Sequence, residues 1–477
     1  MRPFLAALAA LAAVPALAQS PVVSAPESRE AVSLTVYNGG FAVVREVRPI
    51  TVPSGVSALR FEGVPSQIDP TSLSLVSLTR PGSLSVLEQN YQYNLVSTDN
   101  VLDAAVGQRV RIVRDLGATT EVVEGVLISQ PGQGRIVRLD DGRVLVNPEG
   151  TVELLSLPDG LLSRPSLLWR LAAERGGEHR VEARYLTEGV SWKADYVAVV
   201  DEAETAVDLT GWVTLDNRSG ASYPEAGLQL IAGDVRRVQP EREVYGLQAG
   251  AVMDAAAVRQ APQQEAFFEY HLYTFPTPTT VGENETKQLE LLSAADVGVR
   301  RQLVVDASGS YFPFYRRPRP GAGGATNEVS AAVVLEVQNT EANNMGMPLP
   351  AGTVRVYKAD RRGNLQFLGE DRIGHTPQGE PVRLYVGDAF DVVATRRVVE
   401  DRRVNDRTRE LTVEVEVRNR KETAAEVDVV ERVFYGDWQI TQSTHEPERL
   451  DARTALFPVR LGPDETVTVR YTARLRG

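Results

Sequence analysis

Four alternating runs in this chain close on an asparagine: residues 34–38, 212–217, 333–339 and 411–419 end at Asn38, Asn217, Asn339 and Asn419. The last reads Leu-Thr-Val-Glu-Val-Glu-Val-Arg-Asn, apolar at every second position. Successive side chains of a strand point to opposite faces, so this pattern sets one face in a core and the other in water. Asparagine tolerates the left-handed backbone of a sharp strand exit, so each run is expected to leave its sheet through a left-handed Asn. The recurrence predicts an all-β chain built of several antiparallel β-sandwich modules of immunoglobulin-like kind. The intervals between the four turns are too unequal for a solenoid. Charges on both faces of the last strands speak against an outer-membrane barrel, which needs an apolar lipid-facing band.

Turn residues subdivide the chain. Gly39-Gly40, Pro53-Ser54-Gly55, Pro65 and Pro81-Gly82 punctuate strands over residues 31–87. Four short strands follow at 109–113, 122–129, 134–139 and 143–146, and Asp141-Gly142 predicts a hairpin with positive φ at both central residues. This stretch reads as a small SH3-like barrel insert, a spacer in so acidic a chain. Leu167, Trp169 and Leu171 alternate, as do Val181, Ala183 and Tyr185, with Gly176-Gly177 between them, which predicts a hairpin. Trp192, Ala194, Tyr196 and Ala198 share one face of the next strand. Aromatics at that period are core or cross-strand pairs, with a carbohydrate-stacking platform as the functional alternative. Residues 239–266 lack periodicity and read as a long mobile loop; 316–326, rich in Pro and Gly, read as a second loop or linker. The division expected is a signal peptide at 1–18, an N-terminal β domain at 19–105, the insert at 106–157 and a central sandwich at 158–326. A β unit at 327–396 and an immunoglobulin-like sandwich at 397–477 complete it.

Arg2, the apolar run 4–14 and Ala16-Leu17-Ala18 ahead of Gln19 have the order of a secretory signal. The run is shorter than the roughly 20 residues a membrane helix needs, and no later segment is apolar enough, so no transmembrane segment is expected. The mature chain is expected in the periplasm or at the cell surface. The 477 residues contain no Cys, so stability rests on sheet packing, and thiol catalysis and Cys-based metal sites are excluded. A net charge of −12 disfavours nucleic acid, whose binders displace counterions with basic surfaces. Lys occurs only at 193, 287, 358 and 421, the other basic residues being Arg.

No Gly-x-Ser-x-Gly, Ser-x-x-Lys, His-Glu-x-x-His or phosphate-loop motif occurs. The four histidines, at 179, 271, 375 and 445, are far apart. One constellation is denser: Glu370, Asp371 and His375, followed by Asp388 and Asp391. An imidazole among carboxylates can bind a hard or borderline cation or run acid-base chemistry. The competing reading is a solvated loop whose acids pair with neighbouring arginines such as Arg372 and Arg383, and the spacing fits neither a calcium loop nor a zinc triad. No cofactor and no metal is expected.

Tyr-Leu-Thr-Glu-Gly-Val-Ser-Trp-Lys-Ala-Asp-Tyr at 185–196, Leu-Thr-Gly-Trp-Val-Thr-Leu-Asp-Asn-Arg-Ser-Gly at 209–220 and Leu-Ile-Ala-Gly-Asp at 230–234 together resemble the family called domain of unknown function 4139. Further matching stretches are 287–292, 349–357 and 370–391, and the resemblance runs from about residue 167 to the C-terminus. A related region occurs in proteins named as mucoidy inhibitors, which implies envelope or exopolysaccharide biology. The family brings no assigned catalytic residues. The function expected is therefore a non-enzymatic, exported cell-envelope protein that binds an envelope protein or glycan. The alternative is an enzyme acting on envelope polysaccharide through the 370–391 cluster. A structural role, with self-association through exposed edge strands, is the third expectation.

Overall fold

The computed structural model describes residues 20–115, 117, 119–129, 134–156, 158, 160–233, 235–237, 262–306, 308, 326–432 and 437–476. The expected signal peptide, residues 239–261 of the expected loop and residues 316–325 of the expected linker lie outside the described residues. Where the description resumes, Gln263–Phe267 and Thr326–Gln338 are strands. The chain is all-β, with one α-helix among the described residues, Thr98–Ala104, whose first turn is capped by the Ser97 hydroxyl accepting the Asn100 N–H at 3.1 Å.

Two smaller sheets build the first core together with part of a third. One runs in the order Val22–Ser24, Gly55–Glu62, Ser166–Ala173, Leu84–Gln92. The other includes Gln263–Phe267, Tyr270–Thr274, Tyr223–Ala232, Ala31–Tyr37, Phe41–Val52, Gly177–Glu188 and Ile68–Ser77, in that order. A third sheet of 13 strands begins at Leu365–Ile373 and continues through Gly352–Ala359, Val190–Val200, Ala206–Asn217, Glu285–Val305, Thr326–Gln338 and Pro381–Asn405. From there it passes to Thr408–Asn419, Thr466–Arg476 and Asp437–Ser443, with Ala425–Arg432, Glu448–Arg449 and Thr454–Leu461 paired off this path. Two very long strands carry it from one core to the next. Glu285–Val305 pairs with Ala206–Asn217 over its first part and with Thr326–Gln338 over its second, and Pro381–Asn405 likewise changes partner along its length.

The first core draws on residues from Val32 to Leu384, and so runs across the divisions expected at 105, 157 and 326. The second collects Val392, Ala394, Val413, Val415, Val417, Val427, Val429, Phe457, Val459, Val469 and Tyr471 among others. Residues 109–154 form a separate five-stranded antiparallel sheet over a small core of Ala105, Val110, Ile112, Leu127 and Val137. Trp192, Ala194, Tyr196 and Ala198 are all buried, so their rings offer no open face to a sugar.

Three local expectations are corrected. First, Ser166–Ala173 and Gly177–Glu188 do not form a hairpin: the former pairs with Gly55–Glu62 and Leu84–Gln92, the latter with Phe41–Val52 and Ile68–Ser77. Gly176 and Gly177 turn the chain from one sheet to the facing one, and a Cβ on Gly176 would sit 2.7 Å from the Ser54 nitrogen. Second, the turn at Asp141-Gly142 has positive φ at Gly142 alone (88°), with the Gly142 N–H bonded to the Leu139 carbonyl at 3.1 Å. It is a three-residue loop ending in a left-handed glycine, the next commonest hairpin closure.

Third, none of the four run-ending asparagines is left-handed. Asn217, Asn339 and Asn419 are fully buried, and their side chains do the work expected of the backbone. The Asn217 amide donates to the carbonyls of Ala221 (2.9 Å) and Gly282 (2.8 Å), while its oxygen accepts the Ser219 N–H at 3.1 Å. Asn419 repeats this with Thr423 (2.9 Å), Gly462 (2.8 Å) and the Lys421 N–H (3.1 Å). Asn339 bonds the Met347 and Pro377 carbonyls at 2.9 and 3.0 Å and the Gly346 N–H at 3.1 Å. Each carboxamide satisfies main-chain groups of two segments that would otherwise be buried unpaired. The left-handed residues sit opposite, at Asn284 (φ 55°) and Asp464 (φ 49°), each between a glycine and a glutamate whose carboxylate accepts that glycine's N–H. Asn38, half-buried, makes contacts of only 3.4 and 3.5 Å among the described residues.

Candidate functional site

The candidate acids lie on two strands that approach each other without ladder pairing. Glu370 and Asp371 belong to Leu365–Ile373, His375 follows it, and Asp388 and Asp391 belong to Pro381–Asn405. The approach is close because Gly369 has no side chain: a Cβ there would overlap the Val386 carbonyl. Beside it, the buried Asp371 carboxylate accepts the N–H of Tyr385 at 2.8 Å and that of Arg372 at 2.7 Å. Tyr385 lies at a bulge, where the pairing with Thr326–Gln338 slips by one residue and a ladder partner is lost. Asp371 thus supplies an acceptor that the irregular ladder lacks, and a charge-assisted bond to main-chain N–H is among the stronger ones.

Of the other candidates, Asp388, His375 and Glu370 are engaged through their side chains and Asp391 through its main-chain carbonyl. Asp388 accepts the Tyr385 hydroxyl at 2.8 Å. His375 Nδ1 accepts the Ala351 N–H at 3.2 Å, holding the loop before Gly352–Ala359. The Asp391 carbonyl accepts the Arg420 N–H at 2.7 Å, beside the Asn419 clasp. Glu370 lies 3.3 Å from Arg355, which reaches Asp195 at 3.5 Å. Asp195 in turn accepts the Thr214 hydroxyl at 2.9 Å, and Gln288 donates to that hydroxyl at 3.3 Å. Glu370 therefore ends a polar strip that crosses the sheet. The structure brings Asp371 and Asp388 to one tyrosine, while Glu370, His375 and Asp391 serve different joints. Among the described residues no group of three or more His, Asp or Glu is placed to hold a metal ion.

Two concavities among the described residues lie elsewhere. One is lined by Tyr196, Val207, Met345, Val354, Ile373 and Leu384 among others, all apolar. Burial pushes the Tyr196 hydroxyl well above its usual range, and it donates to the Pro350 carbonyl at 2.8 Å. With no convergent polar group, this cavity has nothing to orient a polar substrate. The other is a shallow groove of Asn38, Gly39, Gly233, Val235 and Arg236, adjoining residues outside the described set.

Other features escape a reading of spacing alone. Glu46 and Arg48 occupy the core-facing row of Phe41–Val52, between Val44 and Ile50, and both are fully buried. Charged residues on the apolar phase of an alternating strand were the available signal. His179 is also fully buried, with Nδ1 3.0 Å from the Ser77 hydroxyl and Nε2 unpartnered among the described residues. Its burial removes it from contact with any external substrate. Among the described residues no helix is long and apolar enough to cross a membrane. No family model matches the chain, and no curated protein matches it either.

Proposed function

We propose that this chain is a non-enzymatic binding or assembly protein of the bacterial cell envelope, exported by its N-terminal signal and related to the domain of unknown function 4139 family. One observation carries the reading. Four of the five side chains that could have formed a reaction centre are used as joints: Asp371 on the main chain of a bulge, Asp388 on Tyr385, His375 on a loop N–H and Glu370 on Arg355. Catalytic acids need substrate-facing carboxyls held within reach of one bond. Side chains committed to partners within the fold instead stiffen a surface, which suits a protein that presents an interface.

The test is a pull-down from envelope extract with the mature protein as bait, alongside metal analysis and the variants Asp371→Asn and His375→Ala. Enrichment of an envelope protein or glycan over a control bait is expected. Both variants should keep that enrichment, with Asp371→Asn lowering thermal stability because the Tyr385 N–H loses a charged acceptor. Bound metal, or polysaccharide cleavage that either variant abolishes, would overturn the reading in favour of an enzyme.

A further inference from the structure

The 13-stranded sheet ends on two strands that treat water differently. At one end, Asp437–Ser443 shows Asp437, Gln439, Thr441, Gln442 and Ser443, with Trp438 turned inward. Polar edge strands of this kind discourage further pairing. At the other end, Leu365–Ile373 begins with a run of four exposed residues, of which Leu365 is 57%, Phe367 55% and Leu368 44% exposed. No charge or proline interrupts residues 365–368.

Among the described residues this strand has a ladder partner on one side only, Gly352–Ala359. Its later part is closed off on the other side where Gly369 and Asp371 meet Val386 and Tyr385, so the open edge is confined to the hairpin tip. The hairpin closes with the Asp360 N–H bonded to the Asn364 carbonyl at 2.9 Å, and Gln366 lies opposite Lys358. In an antiparallel ladder inward-bonded pairs alternate with outward-facing ones. The N–H and C=O of Leu365 and Phe367 consequently point away from the sheet, as a template for one more strand. Phe367 is steadied by an edge-on contact with Tyr357, ring centroids 5.5 Å apart.

We propose that this edge is a docking site for an extended strand of another protein, one with alternating apolar side chains and an acidic flank. The inference rests on the binding-protein reading and assigns its surface. Strand addition is the mode that uses both unpaired main-chain groups and alternate apolar side chains. The acidic flank follows from charge. Arg361 and Arg362 are exposed at the hairpin tip, and among the described residues neither guanidinium has a carboxylate partner. Asp360, beside them, is taken up by the N–H groups of Arg362 (2.8 Å) and Asn364 (3.0 Å). A second copy of this chain fits less well. Antiparallel self-pairing would be limited to residues 365–368, because the edge beyond them is closed by Val386 and Tyr385, and parallel self-pairing would set Arg361 and Arg362 beside their own copies, like charges directly opposite.

The test uses fluorescence anisotropy with two labelled peptides, Asp-Glu-Val-Thr-Val-Thr-Val-Thr and its Lys-Arg-flanked counterpart. The acidic peptide is expected to bind more tightly by about tenfold. Phe367→Lys should weaken that binding by about tenfold or more, and Arg361→Glu with Arg362→Glu should reverse the preference between peptides. Gln439→Lys, on the polar edge, should change nothing. These side chains are exposed, so melting temperatures should stay at the wild-type value, which separates lost binding from lost folding. Equal affinity for the two peptides, or binding unaffected by Phe367→Lys, overturns the proposal. So does a concentration-dependent dimer, seen by sedimentation, that Phe367→Lys dissolves, since the edge then serves a second copy. Repeating the envelope pull-down with Phe367→Lys as bait separates the two readings. Enrichment retained by this variant removes the edge and leaves the binding protein standing; no enrichment with any bait removes the binding protein itself.

Discussion

The two large cores share a device and differ in what it joins. In the first, Glu46 receives the Tyr185 hydroxyl, Arg48 at 2.6 Å and Arg29 at 2.6 Å. In the second, Glu431 receives the Tyr471 hydroxyl at 2.7 Å and Arg396 at 3.0 Å. Each carboxylate lies on the inward row of its strand, among valines. Arg48 goes further than Arg396. It is wholly buried, lies 3.7 Å from the centre of the Phe61 ring, and bonds the carbonyls of Ser24 (3.1 Å) and Glu62 (2.9 Å). Arg29 adds the carbonyls of Gly63 and Ser222. The first cluster thus ties together segments distant in sequence, whereas the second joins three strands of one compact sandwich. Where a core is assembled from remote segments, a charge cluster can define which segment goes where, a role that apolar packing fills less selectively.

The difference is sharpest if the carboxylates are neutralised. Glu46→Gln leaves two buried guanidinium groups without a counter-charge and should cost about 3–5 kcal/mol in urea unfolding. Glu431→Gln leaves only Arg396, whose side chain is 11% exposed and closer to water, and should cost roughly 1–3 kcal/mol. Equal losses would erase the distinction between the two clusters.

The asparagine clasps test where the cores agree. Asn217→Ala and Asn419→Ala each strand two carbonyls and an N–H, and each should cost roughly 2–4 kcal/mol. Asn38→Ala, with its long contacts, should cost under about 1 kcal/mol. A clasp that can be removed from one core but not the other would mean that identical wiring carries different loads.

Acid should weaken the cluster in the first core. Burial opposes ionisation of Glu46, but Arg48, Arg29 and the Tyr185 hydroxyl outweigh it and hold the carboxyl below its ordinary value of 4.5. A depressed folded-state value gives stability that is complete above the unfolded value and is lost as pH falls through the folded one. Wild-type stability should therefore decline below about pH 4.5, and Glu46→Gln should flatten that decline; an unchanged acid limb in a pH series of urea melts would refute the assignment. The smallest effect is expected in the insert. Gly142→Ala puts a side chain at φ 88° and should cost about 1 kcal/mol there, leaving the two large cores unaffected in hydrogen exchange.

Much of the architecture was legible because alternation is written into single strands. Residues 411–419, 190–200 and 206–217 declare both their conformation and their buried face. Pairing across distance was not legible: nothing local to Ser166–Ala173 says that its neighbour in sequence belongs to the facing sheet. The asparagines were visible as markers but misread in mechanism. A left-handed backbone is a property of one residue, whereas Asn217 and Asn419 act on carbonyls 65 and 43 positions away. The acidic and histidine cluster was visible as composition, and its use was hidden because the partners of Asp371 and His375 are main-chain N–H groups, which any sequence supplies. The apolar edge at 365–368 could have been noticed, since Phe367 and Leu368 are adjacent and so cannot both face one core.

The way the five-stranded insert is attached has a practical side. The Leu162 N–H bonds the Asn94 carbonyl and the Leu162 carbonyl accepts the Val96 N–H, both at 2.9 Å, so the chain enters and leaves the insert at a single doorway. Its ends stand about one strand spacing apart, roughly 4.8 Å. A connection of a few residues can bridge that gap, so residues between the two ends can be exchanged for a reporter or another small domain without rerouting either large core.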